Sequence, residues 1–249
     1  MRRSGVRGRP PVDLAALDQL LVRFSRLVVE QRWIREIDIN PLLVSAERLV
    51  ALDARVIVYP SEVREQDLPK LAIRPYPAQY AWPFAMKDGT AITVRPIRPE
   101  DEPLIVRFHG TLSERSVYLR YFHAINLEHR VAHERLTRLC FIDYDREMAL
   151  VAERKDSDEI VGVARLTRLH DGDAAEFAVV VSDKVQGHGL GTELLQRLVD
   201  IGRAENVGVI RGYIVAENVA MQGVAKKLGF RLSYSQEEQL MIAELSLNT

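Results

Sequence analysis

Apolar positions along the chain change their spacing several times, and each change predicts a different element. After Asp13, which can cap a helix, apolar residues recur at helical spacing from Leu14 to Val28. Two short apolar runs, 34–39 and 49–58, then predict strands. A helix and two strands within about 60 residues bury too little apolar surface to be stable alone. We therefore expect this segment to be part of a larger fold.

Beyond residue 90, strand and helix patterns alternate to the end of the 249-residue chain. Predicted strands occupy 91–97, 148–153, 160–168, 175–181, 209–215 and two segments between 231 and 247. Predicted helices occupy 98–112, 114–121, 127–139, a segment that begins near Leu190, and 219–228. This order of elements predicts an α+β fold, in which helices flank a mixed, mainly antiparallel sheet.

Prolines divide the chain into domains. All 11 prolines lie at or before Pro103, and they are densest between residues 60 and 85. Fixed φ angles and missing N–H donors oppose both helix and central strand there. We predict an N-terminal fragment at 1–59, an extended linker at 60–90 and a C-terminal domain at 91–249.

Composition narrows the possible partners. The formal net charge is −1, with 47% hydrophobic and 28% charged residues, so no electrostatic feature indicates binding to nucleic acid or to an anionic membrane. No apolar run approaches the roughly 18 residues of a membrane-spanning helix. The single cysteine, Cys140, excludes an internal disulfide and is typical of a reducing compartment. We expect a cytoplasmic location.

A glycine-rich turn, Gln186-Gly-His-Gly-Leu-Gly191, lies between an apolar strand and an amphipathic helix. Such a turn can direct several backbone N–H groups and the positive end of the helix dipole at one phosphate group. The dinucleotide fingerprint fails because Thr192 occupies its third glycine position, and no Gly-Lys-Ser/Thr of a P-loop follows. The alternative is a tight connection with no ligand.

Two further segments accompany this turn. Asn218-Val-Ala-Met221 precedes Ala225-Lys-Lys-Leu-Gly-Phe230, and Thr93-Val-Arg-Pro-Ile-Arg-Pro-Glu-Asp101 lies upstream. Together the three segments resemble the coenzyme A signature, the second signature and the first strand of the GNAT acetyltransferase superfamily. The resemblance implies a GNAT fold and acetyl-CoA as co-substrate.

The resemblance also implies a role for each position of the coenzyme site. Backbone groups of Val179 and Val181 would pair with the pantetheine arm. The pyrophosphate would be held by the N–H groups of Gly187, Gly189 and Gly191 and the hydroxyl of Thr192. Asn218 would bond near the pantetheine or the sulfur, and it can also cap the next helix. The other positions of the turn are assigned to the same site: Gln186, His188 and Leu190.

Glu176 is the candidate catalytic base. An amine must be neutral to attack a thioester, whereas free lysine has a pKa of about 10.4. Glu176 is a carboxylate on an otherwise apolar strand, so it is either exposed on a sheet face or retained for chemistry. Family members commonly carry a glutamate base on this strand. Their usual tyrosine acid is replaced by Ala225, which leaves Tyr213, or no acid at all, for the leaving thiolate.

The N-terminal segment carries a second resemblance. Glu36-Ile-Asp-Ile-Asn-Pro-Leu-Leu43, followed by Ala51-Leu-Asp-Ala-Arg55, resembles the end of the α/β ATP-grasp domain of ADP-forming acyl-CoA synthetases. The resemblance implies that Asn40 and Asp53 are the remnant of a magnesium site. Their side-chain oxygens are the hard ligands that this ion prefers. We expect acetyl transfer itself to require no metal.

With both segments taken together, the chain resembles the C-terminal part of bacterial proteins in which an acyl-CoA synthetase is fused to a lysine acetyltransferase. They imply an acyltransferase that moves acetyl from acetyl-CoA to a protein lysine by direct attack in a ternary complex. The implied acceptor is a protein such as a metabolic acyl-CoA synthetase. Acetylation of a small amine and a regulatory fragment that only binds acetyl-CoA remain open as alternatives, because fold does not fix the substrate.

Overall fold

A computed structural model describes residues 13–45, 48–69, 74–169 and 173–247. The chain divides between Pro75 and Tyr76 into two compact units. Each unit is described by itself below. The predicted limits 1–59, 60–90 and 91–249 stay a prediction.

Among its described residues, the first unit contains one α-helix, a short 3-10 helix and two pairs of short antiparallel strands. Its elements are α1 (Leu14–Glu30), β1 (Ile34–Ile39), β2 (Leu42–Val44), β3 (Leu49–Ala51) and β4 (Ala54–Val58). Asp13 caps α1 as predicted, because its carboxylate accepts from the N–H of Ala16 at 3.0 Å. The single strand predicted over 49–58 is wrong: the chain breaks at Leu52 and Asp53, so that β3 pairs with β2 and β4 pairs with β1.

Large apolar side chains of the first unit are exposed. This exposure agrees with the expectation that such a short segment buries little surface. The exposed side chains are those of Leu21, Val22, Leu27, Trp33, Leu43, Leu52, Val56 and Val58.

The second unit is built on an eight-stranded sheet. Its strands are β5 (Trp82–Ala85), β6 (Ala91–Pro96), β7 (Glu147–Arg154), β8 (Ile160–Arg168), β9 (Ala174–Val181), β10 (Val209–Ile214), β11 (Arg231–Ser235) and β12 (Leu240–Ser246). They lie in the order β11-β12-β10-β9-β8-β7-β6-β5, and every neighbouring pair is antiparallel except β9 with β10. The predicted mixed, mainly antiparallel sheet is confirmed.

Helices cover this sheet, and side chains of helices and strands together form two clusters of buried apolar residues. The helices are α2 (Glu102–Gly110), α3 (Glu114–Tyr121), α4 (Leu127–Arg130), α5 (His133–Cys140), α6 (Leu190–Ala204) and α7 (Val219–Lys227). The apolar face predicted for α6 is buried. The helix predicted over 127–139 is wrong in one respect: Ala132, with ψ 131°, is extended and separates α4 from α5.

The edge strand β5 was not predicted. It lies inside the segment expected to be a linker and pairs with β6 from Trp82↔Val94 to Ala85↔Ala91. Aromatic residues alternate at Tyr80, Trp82 and Phe84, which is a strand period, but Pro83 obscured it. An edge strand tolerates a proline because one row of its N–H groups needs no partner.

No helix among the described residues combines the length and the apolar character needed to cross a membrane.

Candidate functional site

The two parallel strands at the centre of the sheet run together for only three residue pairs. β9 and β10 are paired at Ala174↔Val209, Ala175↔Ile210 and Glu176↔Arg211, and not beyond. On its other side β9 stays paired with β8 as far as Val181. The part of β9 from Phe177 to Val181 therefore has an open edge, where backbone donors and acceptors are available to an extended ligand.

An aromatic ring lies where the two strands diverge. The Phe177 ring covers Gly212 of β10 so closely that a Cβ on Gly212 would lie 2.3 Å from a ring carbon. The same ring packs edge-on against Phe230, with 5.2 Å between centroids. Because both rings are buried, the divergence is filled on one face of the sheet by packed side chains.

The glycine turn leads from β9 into α6. Gly187 and Gly189 have φ of +82° and +91°, a conformation that residues with a Cβ rarely adopt. Helix α6 begins after Gly189 with no side-chain cap. Within the described residues, the N–H groups of Gly187, Gly189, Gly191 and Thr192 have no acceptor, and helical bonding starts with the N–H of Glu193, which donates to the Gly189 carbonyl at 3.1 Å. Unpaired N–H groups at a helix N-terminus form a site for a phosphate group.

A groove of about 700 Å³ joins this turn to the open edge of β9. Nine of the eleven predicted site residues line it: Val179, Val181, Gln186, Gly187, Gly189, Leu190, Gly191, Thr192 and Asn218. His188 is not among the lining residues, and its imidazole lies 3.6 Å from the carboxylate of Asp88. The Gln186 amide donates to the Val181 carbonyl at 3.1 Å, so this carbonyl oxygen already accepts a hydrogen bond within the protein.

Asn218 begins α7 and faces the groove. Its side-chain oxygen accepts from the N–H of Met221 at 3.1 Å, which is the capping role considered for it. It lines both the groove and a smaller adjoining cavity. Capping fixes the orientation of this amide at the junction of the two.

The adjoining cavity contains the predicted base. Glu176 lines it together with Arg120, Tyr213 and Asn218, and its volume of about 30 Å³ is enough for a water molecule. Glu176 is half-buried and pairs across the strand with Thr167. Among the described residues, no cation lies within 4 Å of its carboxylate. A carboxylate in such a place can accept a proton directly or through one water.

Comparison with known proteins places this arrangement in a family. Residues 91–231, more than half of the chain, match the family model described as an acetyltransferase (GNAT) domain. The chain belongs to the GNAT acetyltransferase family. Residues 2–58 match a second family, described as an ATP-grasp domain.

Individual relatives agree with both assignments. An acetyltransferase of Pseudomonas aeruginosa is 30% identical over 151 residues, which is 60% of this chain and 80% of the relative. The solved GNAT domain of the S. lividans protein PAT is 25% identical, with a TM-score of 0.63 over 69% of this chain and 99% of that domain. The β subunit of an ADP-forming acetate–CoA ligase from Pyrococcus furiosus is 40% identical over 55 residues. That match covers 22% of this chain and 24% of the subunit.

A lysine that the sequence analysis did not single out lies beside the glycine turn of this GNAT domain. The N–H of Lys87, in the turn between β5 and β6, donates to the His188 carbonyl at 3.1 Å. The alkyl stem of Lys87 approaches the Cβ position of Gly189 to 3.8 Å, and the residue lines the groove. Its exposed ammonium adds positive charge near the N–H groups of the turn. A single lysine in a surface turn carries no sequence signal of this contact.

Helix α3 is attached to the loop that follows β9. The Asp183 carboxylate accepts from the N–H and hydroxyl of Ser113 at 2.9 and 2.8 Å and from the Ser116 hydroxyl at 2.9 Å. Burial raises the pKa of Asp183, but these hydrogen bonds outweigh it and the pKa is lowered overall. The attachment holds α3, which carries Arg120, against the groove.

Two other sequence candidates for the chemistry are separated from the groove. Cys140 is buried, and burial raises the pKa of its thiol to about 11, which opposes a role as a thiolate nucleophile. Ala225, at the position of the usual tyrosine acid, is fully buried. Tyr213, in contrast, lines the cavity of Glu176.

The predicted magnesium remnant lies in the first unit. The N–H of Asn40 donates to the Asp53 carbonyl at 3.2 Å, so the two residues are adjacent. Across the described residues, no group of three or more His, Cys, Asp or Glu side chains could hold a metal ion. A metal role for Asn40 and Asp53 stays a prediction.

Proposed function

We propose that this GNAT protein transfers the acetyl group of acetyl-CoA to a primary amine, with a protein lysine as the acceptor. The observation that carries the proposal is the groove that runs from the uncapped start of α6 to the cavity of Glu176. One end of this groove suits a phosphate and the other suits the deprotonation of an amine, and between them runs an open strand edge.

The chain's own groups fit each part of the coenzyme. The open edge of β9 around Val179 offers backbone hydrogen bonds to the amides of the pantetheine arm. The N–H groups of Gly187, Gly189 and Gly191 and the hydroxyl of Thr192 are available to the pyrophosphate. Lys87 adds a positive charge there. Bound acetyl-CoA would supply the thioester that the acceptor attacks.

Glu176 prepares the acceptor. It removes a proton from the ammonium group, and the neutral nitrogen then attacks the thioester carbonyl carbon. A C–N bond forms and the C–S bond breaks, so the sulfur leaves with the electron pair as thiolate. The nitrogen then loses its second proton to give the amide, and Tyr213 or water passes a proton to the thiolate, so that the products are the acetylated amine, CoA thiol and the proton held by Glu176. No covalent enzyme intermediate is needed, in agreement with the burial of Cys140.

A protein acceptor is supported by the N-terminal unit. Its sequence matches an ATP-grasp domain and part of an ADP-forming ligase subunit, and the combination resembles fused synthetase–acetyltransferases that modify lysines of metabolic enzymes. We propose an acyl-CoA synthetase as the acceptor, with transfer to a lysine exposed on its surface.

Transfer with purified components tests the proposal. The protein is incubated with radiolabelled acetyl-CoA and, in parallel, with an acyl-CoA synthetase, with lysine-containing peptides and with a panel of small amines. We expect label on lysine side chains, located by mass spectrometry. Label on small amines alone would identify a small-amine acetyltransferase. Tight acetyl-CoA binding in calorimetry with no transfer in any arm would indicate a regulatory protein that only binds the coenzyme.

A further inference from the structure

Arg120 occupies the last turn of α3, beside the cavity in which we propose that the acceptor amine is deprotonated. It is half-buried and lines both the groove and the small cavity of Glu176. The proposed reaction gives no role to a guanidinium at this position. A cation beside an incoming ammonium is unfavourable unless an anion accompanies that ammonium.

Two arginines of the strands beside β9 form ion pairs, whereas Arg120 is subject to the charge of Glu176 but forms no ion pair with it. Arg165 is paired with Glu147, and Arg211 is paired with Glu244 at 3.0 Å. In the part of the chain that the structure describes, no carboxylate lies within 4 Å of Arg120. Its guanidinium carbon stands 5.0 Å from the centre of the Tyr121 ring. A stacked guanidinium without a carboxylate keeps its hydrogen-bonding edge available.

The positive charge of Arg120 also acts on a buried histidine of α2. His109 is 3% exposed, and its Nδ1 has no hydrogen-bond partner among the described residues. Burial, followed by the charges of Arg130, Arg135, Arg120 and Arg165, lowers the pKa of His109 to about 4. The positive charge of Arg120 therefore extends to His109, and an anion bound near Arg120 would offset it.

We infer that Arg120 binds a carboxylate next to the acceptor amine, so that the preferred acceptor is a lysine with an acidic side chain beside it. The inference rests on the proposed lysine acetyltransferase function. A guanidinium binds a carboxylate through two parallel N–H···O bonds, which fixes orientation as well as charge. With the carboxylate on Arg120, the neighbouring amine is directed towards Glu176. A free amino acid could present the same chemistry through its α-carboxylate, and the experiment separates the two sources.

Matched peptides test the inference. Each carries one lysine, flanked by glutamate in the first peptide, by glutamine in the second and by lysine in the third. We expect kcat/KM to be on the order of tenfold higher for the glutamate peptide than for the glutamine peptide, and lowest for the lysine peptide. The preference should disappear in Arg120→Ala and reverse in Arg120→Glu. Arg107→Ala removes an exposed arginine of α2 and should retain the preference.

The outcomes separate this inference from the function on which it rests. Equal kcat/KM for all three peptides in the unmodified protein overturns the inference and leaves lysine acetylation intact, whether or not the variants fold. Absence of transfer to every peptide overturns the proposed function. Free glutamate acetylated faster than any peptide, with the rate dependent on Arg120, overturns the flanked lysine and assigns the carboxylate to an amino acid. Unchanged acetyl-CoA affinity in Arg120→Ala shows that the variant has folded.

Discussion

The two ends of the groove present different kinds of ligand groups. At the glycine turn the ligand groups are backbone N–H groups of Gly187, Gly189 and the start of α6, with few functional side chains. At the other end the groups are the side chains of Glu176, Arg120 and Tyr213. Backbone geometry depends on the fold and on a few glycines, whereas side chains change with single substitutions. We therefore expect the coenzyme end of the groove to be shared across the family, and the acceptor end to differ between individual proteins.

This difference predicts which measured quantity each substitution changes. Substitutions at the acceptor end should alter turnover and selectivity while acetyl-CoA affinity is retained. Substitutions at the coenzyme end should alter acetyl-CoA affinity first.

The largest effect is expected for Glu176→Gln. Without the carboxylate the acceptor must lose its proton unaided, so kcat should fall about 10²- to 10⁴-fold. Steady-state kinetics and calorimetry, carried out on the same preparation, check both halves of the prediction. Acetyl-CoA affinity should be unchanged, as should all parameters of the exposed control Glu237→Gln. Weakened acetyl-CoA binding with an unchanged kcat would remove Glu176 from the proposed role.

The burial of His109, with the positive charges of the arginines near it, should appear in the pH dependence of stability. The unfolded chain protonates His109 near pH 6.5, whereas the folded protein does so near pH 4. The contribution of neutral His109 to the free energy of unfolding is therefore complete above pH 6.5. It decreases as the pH falls towards 4, by about 3 kcal/mol in total. Denaturant unfolding between pH 4 and 7 measures this slope. His109→Gln should flatten it, while His129→Gln, on an exposed position, should not.

At the coenzyme end, Gly189→Ala tests the backbone. Alanine at φ +91° costs about 1–2 kcal/mol, and relief of that strain turns N–H groups away from the phosphate. Acetyl-CoA affinity should fall about tenfold, with a smaller change in kcat at saturating coenzyme. Gly223→Ala, an exposed helical glycine with open space around its Cβ position, should leave affinity unchanged. Equal effects of the two substitutions would contradict the role of the turn.

The smallest effect is expected for Lys87→Gln. An exposed ammonium near a phosphate contributes little, so acetyl-CoA should bind only about two- to fivefold more weakly. The loss should shrink as salt is added, because ions screen exposed charges. Lys155→Gln, a control with an exposed side chain, should show no such loss. Calorimetric titrations at low and high ionic strength compare the two variants, and a loss independent of salt would argue against an electrostatic contact.

The sequence predicted the features that depend on local patterns. Glycines in a strand-to-helix connection, Asn218 before α7 and an acidic residue within an apolar strand are all visible in a few neighbouring residues. The structure places all of these around one groove and its adjoining cavity.

Features that depend on distant contacts were not predicted. Lys87 reaches the glycine turn across about one hundred residues of sequence, and Arg120 reaches the cavity through the attachment of α3 to Asp183. Neither contact has a periodicity or a spacing that a sequence can show. The edge strand β5 was hidden by Pro83, because the rule against proline in strands does not apply at an edge.

The ring of Phe177 has a consequence for the rate at which a ligand enters. Because it is packed over Gly212 and against Phe230, β9 and β10 are separated before any ligand arrives. We therefore expect the binding-competent conformation to be the ground state of the free protein, so that no strand has to leave the sheet. Association should follow single-exponential kinetics with a rate proportional to acetyl-CoA concentration, without the plateau that a slow opening step imposes.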